Sequence, residues 1–126
     1  MIDHFGINCA DLDAAKRFYD QTLAVLGHQR VMDFVVAIGY GTEEPDFWIS
    51  GGEAAAGPNR EVHIAFRAAD AATVRAWHAK PVELGAEPAP APRLWPEYHP
   101  GYYGAFVRDP DGNNVEAVCH SVSEGD

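Results

Sequence analysis

Apolar and polar positions alternate with period two from His4 to Cys9 and again from His63 to Arg67, as they do in half-buried β-strands. Each run hands over to an aspartate suited to cap a helix, Asp11 in the first case and Asp70 in the second. From Leu12, apolar residues recur at Ala15, Phe18, Tyr19, Leu23 and Leu26, a helical stripe closed by Gly27. Val74, Trp77 and His78 mark a second helix, which Pro81 is expected to end or kink early. Val35–Gly39 and Phe47–Ser50 read as later strands of the first half. In the second half, Glu87–Ala91 is crowded with Pro88 and Pro90 and suits an edge strand or an extended connector. Tyr102–Arg108 and Asn113–Cys119 are expected to form a hairpin around the turn Asp109-Pro110-Asp111-Gly112.

The two halves begin alike. His4 aligns with His63, Ala10-Asp11 with Ala69-Asp70, Phe18 with Trp77 and, after one residue of slippage, Leu26-Gly27 with Leu84-Gly85. The chain therefore reads as a doubled βαβββ unit of about 60 residues a copy, with the boundary near Asn59. That makes it an α+β fold of two repeated modules, module 1 about 1–58 and module 2 about 59–122, followed by a short tail.

Composition narrows the function classes. The 126 residues suffice for one domain with a hydrophobic core. Nineteen acidic against nine basic residues give a net charge of -10, which repels phosphate backbones and anionic membrane surfaces, so no nucleic-acid or membrane partner is expected. The opening MIDHFGI has no basic region and no cleavable apolar stretch, so a cytoplasmic location is expected. Cys9 and Cys119, far apart and outside any CxxC pattern, read as buried reduced thiols.

Alternation also sorts the ligand-capable side chains. Phe5, Ile7 and Cys9 share one face of the first strand, and His4, Gly6 and Asn8 the other. On the matching strand, Ile64 and Phe66 oppose His63, Ala65 and Arg67. On the last strand, Val115, Ala117 and Cys119 are the apolar set, while Asn114, Glu116, Val118 and His120 point away. His4, His63 and Glu116 then form a two-histidine, one-carboxylate set suited to Fe, Mn, Zn or Ni. A lone strand histidine is more often structural and a strand glutamate more often solvated. Spacing alone leaves both readings open, although two of the three stand at equivalent points of the repeat.

Three segments, HFGINCADLDAAKRFYDQTLAVLG, EVHIAFRAAD and above all YYGAFVRDPDGNNVEAV, resemble the vicinal oxygen chelate superfamily of glyoxalases, extradiol dioxygenases, fosfomycin-resistance enzymes and bleomycin-binding proteins. The resemblance implies paired βαβββ modules forming a half-open curved sheet with helices outside and a divalent metal ion held by His4, His63 and Glu116. It places Trp48 at the fourth ligand position, where glyoxalase I enzymes carry a carboxylate, and so argues against a true lactoylglutathione lyase. It further implies a homodimer in which His4 meets His63 and Glu116 of the partner.

The function expected on this basis is that of a small metal-dependent enzyme, lyase- or dioxygenase-like. Its substrate would be a small molecule with neighbouring oxygen atoms, and the metal would stabilise an oxyanion. Glu116 is expected to be a ligand or proton shuttle, and Tyr98 and His99 acid/base groups, in a loop, Pro92 to Tyr103, that forms a wall or lid. Trp48, Arg67 and Tyr103 are expected to contact substrate, with Trp95 and Tyr102 filling a local core. The competing expectation is a non-catalytic protein that binds a drug or metabolite, as bleomycin-binding relatives do.

Overall fold

The computed structural model describes residues 1–126, the side chain of Ala54 excepted. In chain order the elements are β1 (Phe5–Asn8), α1 (Leu12–Val25), β2 (Gln29–Asp33), β3 (Ala37–Gly41), β4 (Pro45–Ser50), β5 (His63–Arg67), α2 (Ala71–Glu83), β6 (Arg93–Leu94), β7 (Tyr103–Arg108) and β8 (Asn114–Cys119). A single 3-10 turn, Glu53–Ala55, follows β4. The chain divides into a first unit, Met1–Glu61 with Pro110–Gly112, and a second, Val62–Asp109 with Asn113–Asp126.

Each unit is a four-stranded sheet with one helix, an α+β arrangement, and the strand orders repeat: β1-β4-β3-β2 in the first and β5-β8-β7-β6 in the second. β1 runs parallel to β4, and β5 parallel to β8. Two residues beyond each matched histidine the registers are equivalent, since Gly6 pairs with Trp48 and Ala65 with Glu116; His63 opens β5, whereas His4 lies just before β1. Trp48 therefore occupies in the first unit the position that Glu116 occupies in the second, as the repeat implied.

The helices begin and end as capping chemistry dictates. Asp11 accepts from the Ala14 amide at 3.0 Å and Asp70 from the Thr73 amide at 2.8 Å, satisfying donors that the first helical turn leaves unpaired. Both helices close at a leucine followed by a left-handed glycine, Leu26-Gly27 (φ 87°) and Leu84-Gly85 (φ 98°). The buried stripe of α1 is Ala15, Phe18, Tyr19, Thr22 and Leu23, and that of α2 is Ala71, Val74, Trp77 and Pro81. Pro81 does not end α2 early. It lies in the last turn, where its missing N–H costs one hydrogen bond, and its buried ring packs while its carbonyl accepts from Leu84 and Ala86.

One strand was not expected, one starts later than expected, and one open choice is decided. β2 had no sequence signal, being a short, mostly exposed edge strand; Arg30 fixes it to α1 through Nε and Nη2, which donate to the two carboxylate oxygens of Asp20 at 2.8 and 2.7 Å. The strand expected from Val35 starts only at Ala37, because Val35 turns the chain in the left-handed region (φ 71°), with its amide held by Asp33 at 2.9 Å. Of the two forms expected for Glu87–Ala91 the structure has the connector, and the edge strand is Arg93–Leu94.

Asp70 provides a pH test of the capping. Hydrogen bonds from the Thr73 hydroxyl and amide hold its carboxyl below the usual carboxylate range. A depressed folded-state value means the cap stabilises above the unfolded value of about 4 and is lost as pH falls through the folded one. The gap in thermal midpoint between wild type and Asp70→Ala is thus expected to be open at neutral pH and to narrow in acid.

Candidate metal centre

The hairpin of β7 and β8 sets the faces of the second sheet. Tyr103 pairs with Cys119, Ala105 with Ala117 and Val107 with Val115, all on the apolar face against which α2 packs. Gly104 pairs with Val118, Phe106 with Glu116 and Arg108 with Asn114 on the opposite face. At the turn, Asp109 accepts from the Asn113 amide and side-chain NH₂, both at 2.9 Å, and the Asn113 side-chain oxygen accepts from the Val62 amide at 3.1 Å. The RDPDGNN segment thereby fixes where β5 starts beside β8.

Glu116 is 1% exposed, a buried carboxylate in the middle of a sheet. Its two oxygens have different neighbours. Oε2 accepts a hydrogen bond from the Tyr102 hydroxyl. Oε1 lies 3.1 Å from Nε2 of His63, whose ring is half exposed and stacks on Phe106. The other ring nitrogen of His63, Nδ1, is 3.0 Å from the carbonyl oxygen of Asn114. A carbonyl can only accept, so Nδ1 carries the proton, and in neutral imidazole Nε2 then presents a lone pair.

A lone pair on Nε2 and a carboxylate oxygen at this separation repel unless a positive species lies between or beside them. A proton on Nε2 answers that need, and so does a divalent cation. The donor chemistry fits a cation well: a neutral imidazole oriented through its far nitrogen by a backbone carbonyl, and a carboxylate held by a second group. His4 in the first unit has the same preparation, since its Nδ1 lies 2.7 Å from the Asp3 carboxylate, which leaves Nε2 as the donor nitrogen.

Gly104 makes the arrangement possible. A Cβ at this position would sit 2.9 Å from Oε2 of Glu116 and 3.2 Å from Cε1 of Tyr102. The bare backbone is what lets the phenol and the carboxylate meet. Burial and then the bond to Glu116 raise the Tyr102 hydroxyl well above the ordinary tyrosine value, so it stays protonated and donating across the physiological range.

The predicted residues separate accordingly. His63 and Glu116 come together, and Arg67 lies exposed on their face of β5, two residues past Ala65. Among the described residues no three His, Cys, Asp or Glu side chains stand together as a metal-holding group. Tyr103 points the other way, its hydroxyl 3.4 Å from the Arg75 guanidinium of α2, because its register puts it on the apolar face. His99 turns to His120, with Nε2 to Nδ1 at 2.9 Å, and Tyr98 stacks on Trp95. Tyr102, expected to fill a core, is instead the partner of Glu116. Its signal lay in parity, since alternation carried back from Phe106 and Gly104 puts residue 102 on the same face.

Trp48 has a different setting. Its indole stacks on Phe34, with centroids 6.0 Å apart and planes 6° from parallel. It lies across Gly39, where a Cβ would come within 2.9 Å of its six-membered ring. No carboxylate stands at this position, so the first unit presents an aromatic platform where the second presents a buried acid.

The family model described as the Glyoxalase/Bleomycin resistance protein/Dioxygenase superfamily matches residues 1–117. The chain belongs to this superfamily. Among solved structures of the superfamily, a glyoxalase/bleomycin resistance protein from Albidiferax ferrireducens T118 is 27% identical, with 92% of this chain and 96% of that one covered and a TM-score of 0.74. A lactoylglutathione lyase from Agrobacterium tumefaciens is 25% identical over 94% of this chain and 92% of its own, with a TM-score of 0.67. A fosfomycin resistance protein from Mesorhizobium loti, at 19% identity, 98% and 93% coverage and a TM-score of 0.64, shares the fold. No curated protein matches the chain. Among the described residues, no helix is long and apolar enough to cross a membrane.

Proposed function

We propose that this superfamily member is a divalent-metal-dependent enzyme acting on a small molecule with two neighbouring oxygen atoms. The observation that carries the proposal is the opposition of His63 Nε2 and Glu116 Oε1, with the second atom of each group committed elsewhere. His63 and Glu116 would hold the ion, with His4 as third ligand contributed by a second copy in a cytoplasmic homodimer. The bound ion, iron, manganese, zinc or nickel, would supply Lewis-acid stabilisation of an oxyanion on the substrate.

The protein's own groups then have distinct tasks. Asn114 fixes the His63 ring through Nδ1, so that Nε2 alone is offered. Tyr102 occupies Oε2, which leaves Oε1 as the donating oxygen and keeps Glu116 from closing on the ion through both. Arg67, exposed on the same face, would receive an anionic group of the substrate. The Trp48–Phe34 stack favours a substrate with a planar or apolar portion.

That same stack supports a second reading, a non-catalytic protein that sequesters an aromatic compound. One experiment separates the two. Tag-free protein loaded with each candidate ion is screened for turnover of hydroxyketones, catechols and thiol adducts of 2-oxoaldehydes, beside His63→Ala. Turnover that His63→Ala lowers by at least 100-fold supports the enzyme. Aromatic ligands binding equally to both proteins, without turnover and with Trp48→Ala abolishing binding, would replace it with the second reading.

A further inference from the structure

A second pair of histidines lies outside the centre formed by His63 and Glu116. His99, half-buried in the loop between β6 and β7, and His120, exposed just past the end of β8, meet with Nε2 and Nδ1 2.9 Å apart. The rings are 20° from parallel with centroids 5.2 Å apart. Tyr102 packs edge-on against both, at 5.4 Å from His99 and 5.3 Å from His120.

His99 is prepared as a donor. Its Nδ1 lies 2.7 Å from the carbonyl oxygen of Pro100, so Nδ1 holds the proton and Nε2 offers a lone pair toward His120. With His120 neutral, its Nδ1–H fills that space, and a proton shared between two imidazoles is the simplest occupant. Two imidazole nitrogens bound to one zinc or copper ion at about 2.0–2.1 Å stand roughly 3 Å apart. The pair already has nearly that separation, and His120 is at the surface, where water can serve as further ligands.

The loop that carries His99 is well held. Trp95 and Tyr102 are joined by an amide–carbonyl bond of 2.8 Å, the Trp95 indole donates to Gly104 at 3.1 Å, and the Arg93 guanidinium lies 3.4 Å from the Trp95 ring while pairing with Glu97. At the far end, Gly101 (φ 87°) runs so close to β8 that a Cβ would meet the His120 carbonyl at 2.7 Å. The two imidazoles are thus positioned by backbone on both sides, not brought together by chance rotamers of a slack loop.

We propose that His99 and His120 form a second divalent transition-metal site, selective for zinc or copper(II), that ties the Trp95–Tyr102 loop to the end of β8. Imidazole pairs favour these ions over magnesium or calcium, and the net charge of -10 raises the local cation concentration. The site neither shares a ligand with His63 and Glu116 nor depends on their function.

The test is equilibrium titration of metal-stripped, tag-free protein with zinc and with copper(II), with electron paramagnetic resonance of the copper form. His63→Ala is expected to keep one ion per chain, with a copper spectrum showing two imidazole nitrogens. Added to the His63→Ala background, His120→Ala and His99→Ala are each expected to weaken that ion at least 10-fold and to lose the two-nitrogen signature. His120→Ala, at an exposed position, keeps the test valid if His99→Ala loosens the loop. Binding unchanged when His120→Ala is added to His63→Ala, or no two-nitrogen copper site in His63→Ala, would overturn the proposal.

Discussion

Glu116→Ala is expected to abolish retention of a divalent ion at the His63 centre, lowering affinity there by 100-fold or more. Glu116 is the carboxylate beside His63, it is buried, and its neighbours on that face, Arg67, Phe106, Asn114 and Val118, carry no anionic side chain. An ion present at about 100 times its dissociation constant stabilises a protein by about 2.7 kcal/mol. Added metal should accordingly raise the unfolding midpoint of wild type and leave that of Glu116→Ala nearly unchanged, both compared in a His120→Ala background that removes the proposed second site. Glu116→Gln discriminates charge from shape: its side-chain oxygen can still accept from Tyr102, yet it offers the ion no negative charge. Plasma mass spectrometry after dialysis reads the result directly, and full metal retention by either variant would remove Glu116 from the ligand set.

The two units show how one architecture is used for two purposes. The same parallel register places Trp48 beside Gly6 and Glu116 beside Ala65. In each case the residue opposite is small, which leaves the face open. What differs is the third strand. Beside Trp48 stands Gly39, across which the indole lies flat, and beside Glu116 stands Phe106, on which the His63 ring stacks. A bulky ring needs a bare floor, and a buried acid needs apolar walls and specific hydrogen-bond partners.

Much of this was legible in the chain because it rests on local rules. Asp11 and Asp70, and then Leu26-Gly27 and Leu84-Gly85, mark the helix ends through capping chemistry that depends only on neighbouring residues. The pairing of Trp48 with the Glu116 position followed from the repeat, and the strand register agrees. Features decided by tertiary contact were hidden. β2 is a polar edge strand whose anchor, Asp20, belongs to a helix nine positions before the strand begins. Phe34 reaches Trp48 only because the chain reverses at Val35 in a conformation that a β-branched residue rarely adopts. Tyr102 and Tyr103 exchanged roles for a simpler reason. Adjacent strand residues face opposite ways, so the residue that meets Glu116 had to be the one in phase with Gly104 and Phe106.

Gly104→Ala tests the centre from the backbone side, without touching any proposed ligand, and is expected to lower metal affinity at the His63 centre about 100-fold. The added methyl would stand 2.9 Å from Oε2 of Glu116, closer than such carbons are found to oxygen, and 3.2 Å from the Tyr102 ring. One of the two must yield. The Tyr102 ring is wedged between Tyr98, His99 and His120, whereas the carboxylate can rotate about its side chain. Rotation takes Oε2 from the phenol and carries Oε1 away from His63 Nε2, so both the positioning bond and the donor geometry are lost together. Tyr102→Phe removes only the bond, and second-partner losses of this kind typically cost 10–100-fold in metal affinity. The order expected is therefore wild type, then Tyr102→Phe, then Gly104→Ala, with circular dichroism unchanged across the series because Gly104 lies in ordinary strand backbone. Equal metal affinity in all three would mean that Oε2 and its phenol partner have no part in holding the ion, and that Oε1 keeps its place beside His63 without them.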